Sequence, residues 1–127
     1  MILRLDMSGE VPIYMQIRNQ IVLGIGRGEL RAGEGLPTVR QLAEDIGVNT
    51  MTVNKAYALL KSEGYIEIDR RKGAAVRRAA KPGELDEDFR RRLTLLAAEA
   101  AAGGVSPERF LDACREAASA MNPKGAE

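Results

Sequence analysis

Within twelve residues, from Thr38 to Asn49, the chain carries two helix starts and one helix stop. Thr38 and Gln41 form the T-x-x-Q capping box that opens a helix, and Val39, Leu42, Ala43 and Ile46 then share one face of it. Gly47 ends that pattern. Asn49 can cap a second helix, whose Val53, Ala56, Tyr57 and Leu60 recur at i, i+3, i+4 and i+7 and define its inward side. Opposite that stripe lie Thr50, Met51, Asn54, Lys55 and Ala58, with Thr52 beside them. Donors and acceptors near the start of an outward-facing helix can meet base edges or phosphates, which is how a helix-turn-helix uses its second helix.

The period changes after Gly64. Tyr65, Ile66, Glu67 and Ile68 alternate as a strand does; Arg70, Arg71, Lys72 and Gly73 have the charge and the glycine of a turn; Ala74, Ala75 and Val76 can return as a second strand. A hairpin after a helix-turn-helix is a wing. Its tip carries three cations at the height of a phosphate backbone, where each neutralised phosphate releases condensed counterion.

Ahead of this centre, residues 2–5 suit a short strand, and Pro12 opens a helix with Ile13, Ile17, Ile21 and Ile25 as its core stripe. Gly26, Gly28 and Gly33 punctuate the loop over 27–35. Lys81, Pro82 and Gly83 mark the clearest boundary. We therefore expect a mainly α fold with a small β wing: a winged helix-turn-helix domain over residues 1–80 and a short two-helix segment over 81–127. In that segment, acids within 84–88 precede a helix carrying Phe89, Leu93, Leu96, Ala97 and Ala100, which Gly103 and Gly104 end. Ser106 caps the next helix, with Pro107 at its first position, Val105 and Phe110 as a hydrophobic staple, and Cys114, Ala117 and Met121 continuing the apolar line. Two such helices cannot bury both faces alone. The stripe needs the winged helix or a second copy of itself, and a two-fold dimer suits the paired half-sites that helix-turn-helix proteins bind.

Composition narrows the function classes. Net charge is only +1, but residues 31–80 hold nine Lys/Arg against six Asp/Glu, a balance of +3, while residues 81–127 hold seven against nine, a balance of −2. The basic excess sits with the motif. With no histidine and Cys114 as the single cysteine, an internal disulfide is impossible and a zinc site is not expected. There is no histidine for acid–base work, no cysteine with a plausible activating partner and no glycine loop ahead of a Lys-Ser or Lys-Thr pair, so neither enzyme activity nor a cofactor is expected. No charged-then-apolar signal and no membrane-length apolar run occur, which points to the cytoplasm and away from a membrane. Only 82–127 follow Lys81, too few for a large sensor domain.

Four separated motifs, PIYMQI at 12–17, LPTVRQLA at 36–43, VNTMTVNKAY at 48–57 and SEGYI at 62–66, fall in one order. At these residues the chain resembles the GntR family of bacterial transcription regulators, and its short length and N-x-x-T-V-x-K-A-Y helix look like the YtrA subfamily. The resemblance covers residues 2–76. It implies that Arg40 contacts the operator, that Thr52 meets phosphates, that Gly73 is the second wing glycine, and that the first helix packs behind the recognition unit. It also implies a homodimer joined through the short C-terminal helices, repressing a neighbouring, often transporter-encoding, operon. Three positions depart from the family pattern: Arg71 replaces the first wing glycine, Ala75 a bulky aromatic, and Thr50 a base-reading arginine. Base preference therefore does not carry over from relatives. A small-molecule effector is compatible with the resemblance, but no charged or aromatic constellation marks a site for one.

The candidate contacts to double-stranded DNA are thus Thr38, Arg40, Asn49, Thr50, Met51, Thr52, Asn54, Lys55, Arg70, Arg71, Lys72 and Gly73. Each has a plainer alternative. Arg40 can pair with Glu44 at i+4, a surface contact worth about 0.3–0.5 kcal/mol. Asn49 serves first as a cap; Asn54 and Lys55 have no intrahelical duty; Met51 can touch a thymine methyl or merely cover its neighbours. Arg70, Arg71 and Lys72 taken alone make a solvated turn. Tyr14 and Tyr57 suit the core or an interface, and Arg90, Arg91 and Arg92 suit a solvated face paired with the acids at 86–88. At the level of function, the rival is a winged helix that binds protein, since fold does not fix function.

Overall fold

The computed structural model of the protein describes residues 3–78 and 83–122. They form two compact units, one within 1–80 and one within 81–122. The first contains helices α1 (Ile13–Gly26), α2 (Val39–Ile46) and α3 (Thr50–Ser62) and the antiparallel strands β1 (Ile66–Asp69) and β2 (Gly73–Val76); the second contains α4 (Glu87–Ala102) and α5 (Pro107–Ser119). This is a winged helix-turn-helix followed by a helical pair.

Local capping chemistry sets the helix-turn-helix. Thr38 Oγ1 accepts the Gln41 N–H at 3.0 Å, and Gln41 Oε1 accepts the Thr38 N–H at 3.1 Å, so both halves of the capping box are made. Gly47 ends α2 in the left-handed region, with φ 70°, and its N–H returns to the Ala43 carbonyl. Asn49 Oδ1 accepts the Met51 N–H at 2.6 Å and starts α3. The turn between the helices is therefore fixed from both sides.

The core of the first unit is built around α3. Val53, Ala56, Tyr57 and Leu60 are buried, as their spacing requires, and meet Ile17 and Ile21 of α1, Leu42 and Ala43 of α2, and Ile66, Ala74 and Val76 of the hairpin in one cluster. Burying an aliphatic side chain of this size contributes about 1.5–3 kcal/mol, so this shared cluster is what holds α3 in place. Ile13, Ile25, Val39 and Ile46 border it, half-buried. Leu30, in the loop after α1, is also buried. It sits so close to Gly24 that an added Cβ there would lie 3.0 Å from the Leu30 side chain.

The sheet differs from its sequence expectation in three places. Tyr65 precedes β1 rather than starting it; Gly73 begins β2, opposite Asp69, rather than ending the turn; and Ile68 is exposed, because a two-stranded wing has one covered face only at its base. The chain before α2 adds a third ply: the Gly33 N–H donates to the Val76 carbonyl at 2.7 Å, the Val76 N–H to Glu34 at 2.9 Å and the Leu36 N–H to Ala74 at 2.8 Å, around a bridge between Gly35 and Ala75.

The expected strand at 2–5 is not formed over its described part. Leu3 and Leu5 pack against the core, and the backbone of this arm bonds to α1 side chains instead of a neighbouring strand. Gln20 Oε1 accepts the Arg4 N–H at 2.8 Å and Gln16 Oε1 the Asp6 N–H at 2.7 Å. Gly26 closes α1 rather than lying in the loop.

In the second unit Asp86 caps α4, Gly103 ends it, Ser106 caps α5 and Pro107 takes its first position. Neither helix buries a residue. Phe89, Leu93 and Leu96 of the expected stripe stay exposed, as do Leu85, Leu95 and Leu111. Ala117 is exposed and Met121 lies beyond the end of α5, so the apolar line of that helix stops at half-buried Cys114. The boundary residues Lys81 and Pro82 lie outside the described residues. No described helix is long and apolar enough to cross a membrane.

Candidate nucleic-acid interface

With one side of α3 buried, the opposite side is left to solvent. Thr50, Met51, Asn54, Lys55 and Ala58 are all exposed there, Met51 to 74%, and Thr52 is half-buried at their edge. The start of α3 also brings the positive end of the helix to this face, which favours an anionic partner. Asn49 is committed by its Oδ1 to capping.

Arg40, in the first turn of α2, is exposed. The proposed Arg40–Glu44 pair is not made: among the described residues the ion pairs are Arg18–Glu63, Arg91–Asp88, Arg92–Asp88 and Arg115–Asp112. Its guanidinium is free to reach outward. The Arg91 and Arg92 pairs with Asp88 fit the solvated, locally paired face expected for that run.

The wing tip is held by a residue that the sequence pattern did not single out. Asp69 Oδ1 accepts the Arg71 N–H at 2.7 Å and the Lys72 N–H at 3.3 Å, an Asx-type turn that orders the backbone and leaves Arg70, Arg71 and Lys72 exposed. Gly73 follows with φ 80°, a conformation that costs a side-chain-bearing residue about 1 kcal/mol. Three cations and one carboxylate give residues 69–73 a net charge of +2. Arg77 and Arg78, also exposed, continue the basic surface past β2; they line a cleft of about 340 Å³ with Glu67, Gly33, Ala32 and Val76. Adjacent arginines directly after the closing strand were the signal for them.

Two side-chain contacts fix α3 against its neighbours. The Tyr57 hydroxyl donates to the Pro37 carbonyl at 2.7 Å, joining the helix to the segment before α2, and burial pushes its pKa up to about 12. Arg18 of α1 makes a two-pronged contact with Glu63, the residue capping the end of α3: Nε to Oε1 at 2.9 Å and Nη2 to Oε2 at 3.0 Å. Its guanidinium also lies 5.5 Å from the centroid of the Tyr65 ring. The hydrogen bond to Glu63 raises the Arg18 pKa further above its ordinary value. Both partners belong to the SEGYI motif, whose polar residues thus hold the far end of α3. Lys55 is not without a duty either, since its Nζ lies 4.1 Å from the Tyr14 ring centroid.

A capped helix pair, an outward polar face on the second helix and a basic wing stand together in residues 13–76, the stretch matched by the family model for bacterial regulatory proteins of the gntR family. The chain belongs to the GntR family. An HTH-type transcriptional regulator of Mycobacterium tuberculosis is 40% identical over 76 residues, 60% of this chain and 63% of the relative. The HTH-type transcriptional repressor YtrA of Bacillus subtilis is 39% identical over 79 residues, 62% of this chain and 61% of the relative. The chain thus spans less than two thirds of the length of these curated relatives. Among solved structures, YtrA from Sulfolobus acidocaldarius, a GntR-family transcription factor, is similar with a TM-score of 0.66 and 37% identity, over 80% of this chain and 99% of that one. The AraR DNA-binding domain in complex with operator ORX1 is similar at 0.54 and 26% identity, over 58% of this chain and 95% of that one. Residues 13–76 are accordingly the winged helix-turn-helix of a gntR-family bacterial regulatory protein.

Proposed function

We propose that this GntR-family protein is a transcription repressor that binds a palindromic operator as a homodimer. The observation that carries the proposal is the two-sided α3: one face buried with the core, the other presenting Thr50, Met51, Asn54 and Lys55. In this proposal Asn54 and Arg40 read base edges, Thr38, Thr52 and Lys55 engage phosphates, and Arg70, Arg71, Lys72 and Gly73 place the wing on the adjoining backbone. Repression follows from occupancy of a promoter in the cytoplasm, with no catalytic step.

Dimerisation is supported by the second unit. Its two helices fully bury no residue, with Ala97, Ala100, Phe110 and Cys114 only half-buried, and expose Phe89, Leu93, Leu95, Leu96 and Leu111. An apolar surface of this kind marks an interaction site, and a second copy supplies the two-fold symmetry that a palindrome needs. Footprinting on the DNA upstream of the protein's own gene should show a symmetric protected site, and light scattering at micromolar concentration should show a dimer that Leu96→Glu dissociates. A monomer with one undivided footprint refutes the paired reading. Binding that neither prefers a sequence nor weakens with salt would instead favour a protein-binding winged helix.

A further inference from the structure

We propose that Tyr14 is a positioning residue for Lys55: its ring orders the lysine on the DNA-facing side of α3 without cancelling the lysine's charge. The inference rests on the DNA-binding role of α3 and adds to it a residue from another helix. Tyr14 lies in the first turn of α1, half-buried and packed against the core, so its ring is held by contacts independent of DNA. Lys55 lies in the second turn of α3, exposed, with its Nζ 4.1 Å from the ring centroid.

The kind of partner matters. Arg18, Arg91, Arg92 and Arg115 each meet a carboxylate, which offsets the guanidinium charge. Among the described residues Lys55 meets none; it meets a ring quadrupole, which attracts a cation while contributing no formal negative charge. The full positive charge therefore remains for a phosphate, and no carboxylate occupies the ammonium N–H donors. A free lysine must also surrender rotamer freedom when it contacts a phosphate, and one already resting on a ring has surrendered part of it beforehand. Order without neutralisation is what a backbone-contacting cation needs, because the phosphate then exchanges with counterion and not with a competing acid.

The test uses the full-length protein and a random-sequence duplex, titrated at several salt concentrations. Lys55→Met should weaken binding and lower the slope of log K against log salt by about 1. Tyr14→Leu should weaken binding about two- to fivefold, and Tyr14→Phe, which keeps the ring, should bind as the parent does. In a Lys55→Met background Tyr14→Leu should add nothing. NMR of the unsubstituted protein gives an independent reading, since the Lys55 ε-methylene protons should be shifted upfield by the ring current. Loss of affinity from Tyr14→Leu that persists without Lys55, or an unshifted ε-methylene, overturns the proposal. If Lys55→Met leaves the salt slope unchanged while Lys72→Met lowers it, the Tyr14 role falls and the DNA reading stands; if duplex binding shows no salt dependence at all, the DNA reading falls too.

Discussion

Removing one oxygen atom tests how α3 is tied to the segment before α2. Tyr57 is 2% exposed and its hydroxyl donates to the Pro37 carbonyl at 2.7 Å. Tyr57→Phe keeps the packed ring but deletes that bond and leaves the carbonyl without its donor, a loss of about 1 kcal/mol at neutral pH. Alkali should reverse the comparison. Because burial raises the pKa to about 12 from an ordinary 10.0, the folded state holds the phenolic proton more tightly than the unfolded chain. The stability this contributes is fully present below pH 10.0 and disappears as pH rises towards 12. At pH 11 the parent should already have lost about 1.4 kcal/mol through this group, a loss the phenylalanine variant does not share. Urea unfolding followed by circular dichroism at pH 7 and pH 11 should therefore show a parent that is more stable at the first and level with, or below, the variant at the second. A stability difference that is the same at both pH values would refute the coupling of this hydroxyl to its burial.

Five other substitutions probe three separate parts of the design. Arg18→Met keeps the aliphatic stem but removes the contact with Glu63, and should lower stability by about 1–2 kcal/mol, read as a reduced urea midpoint. Gly47→Ala meets no atom within 4 Å, so its cost is backbone strain alone at φ 70°, about 1 kcal/mol in thermal unfolding; a neutral result would mean that the turn relaxes. On DNA, Arg40→Ala or Asn54→Ala should cost about 1–3 kcal/mol on the operator and much less on random sequence, whereas Lys72→Ala should weaken both alike; equal losses from all three would rule out direct base reading.

The parts of the fold visible in the sequence are those governed by near neighbours. Thr38 with Gln41, Gly47, Asn49 and Ser106 act within three or four residues, so these helix ends could be placed from the chain alone, whereas the acids at 84–88 marked a helix start without singling out Asp86 as its cap. The inward face of α3 was equally plain, since period alone identifies Val53, Ala56, Tyr57 and Leu60. What escaped depends on distance along the chain. Arg18 and Glu63 are 45 residues apart, and neither carries a mark of its partner. Leu30 is a solitary apolar residue in a glycine-rich loop, with no periodicity to betray its burial. Residues 33–36 do not alternate, yet pair with β2 because the hairpin's outer edge has unpaired backbone groups to satisfy. At the interface, the outward positions of α3 could be read, but the Tyr14 ring beneath Lys55 could not, and nothing marked Asp69, between the alternating run and the basic turn, as the residue that shapes the tip.

The pairing of residues 33–36 with β2 also limits how such a protein can change. The Leu36 N–H is spoken for by Ala74, and the very next carbonyl, that of Pro37, is spoken for by Tyr57. An insertion or deletion of one residue between Gly33 and Thr38 would throw one of these attachments out of step, since a single-residue slip in an extended segment inverts which side each residue faces. Substitutions at Thr50, Asn54 or Arg71 disturb neither. Wing and α3 are mounted on a strip of fixed length with replaceable faces: their outward side chains can be exchanged one at a time, while the spacing between the two elements is closed to gradual drift.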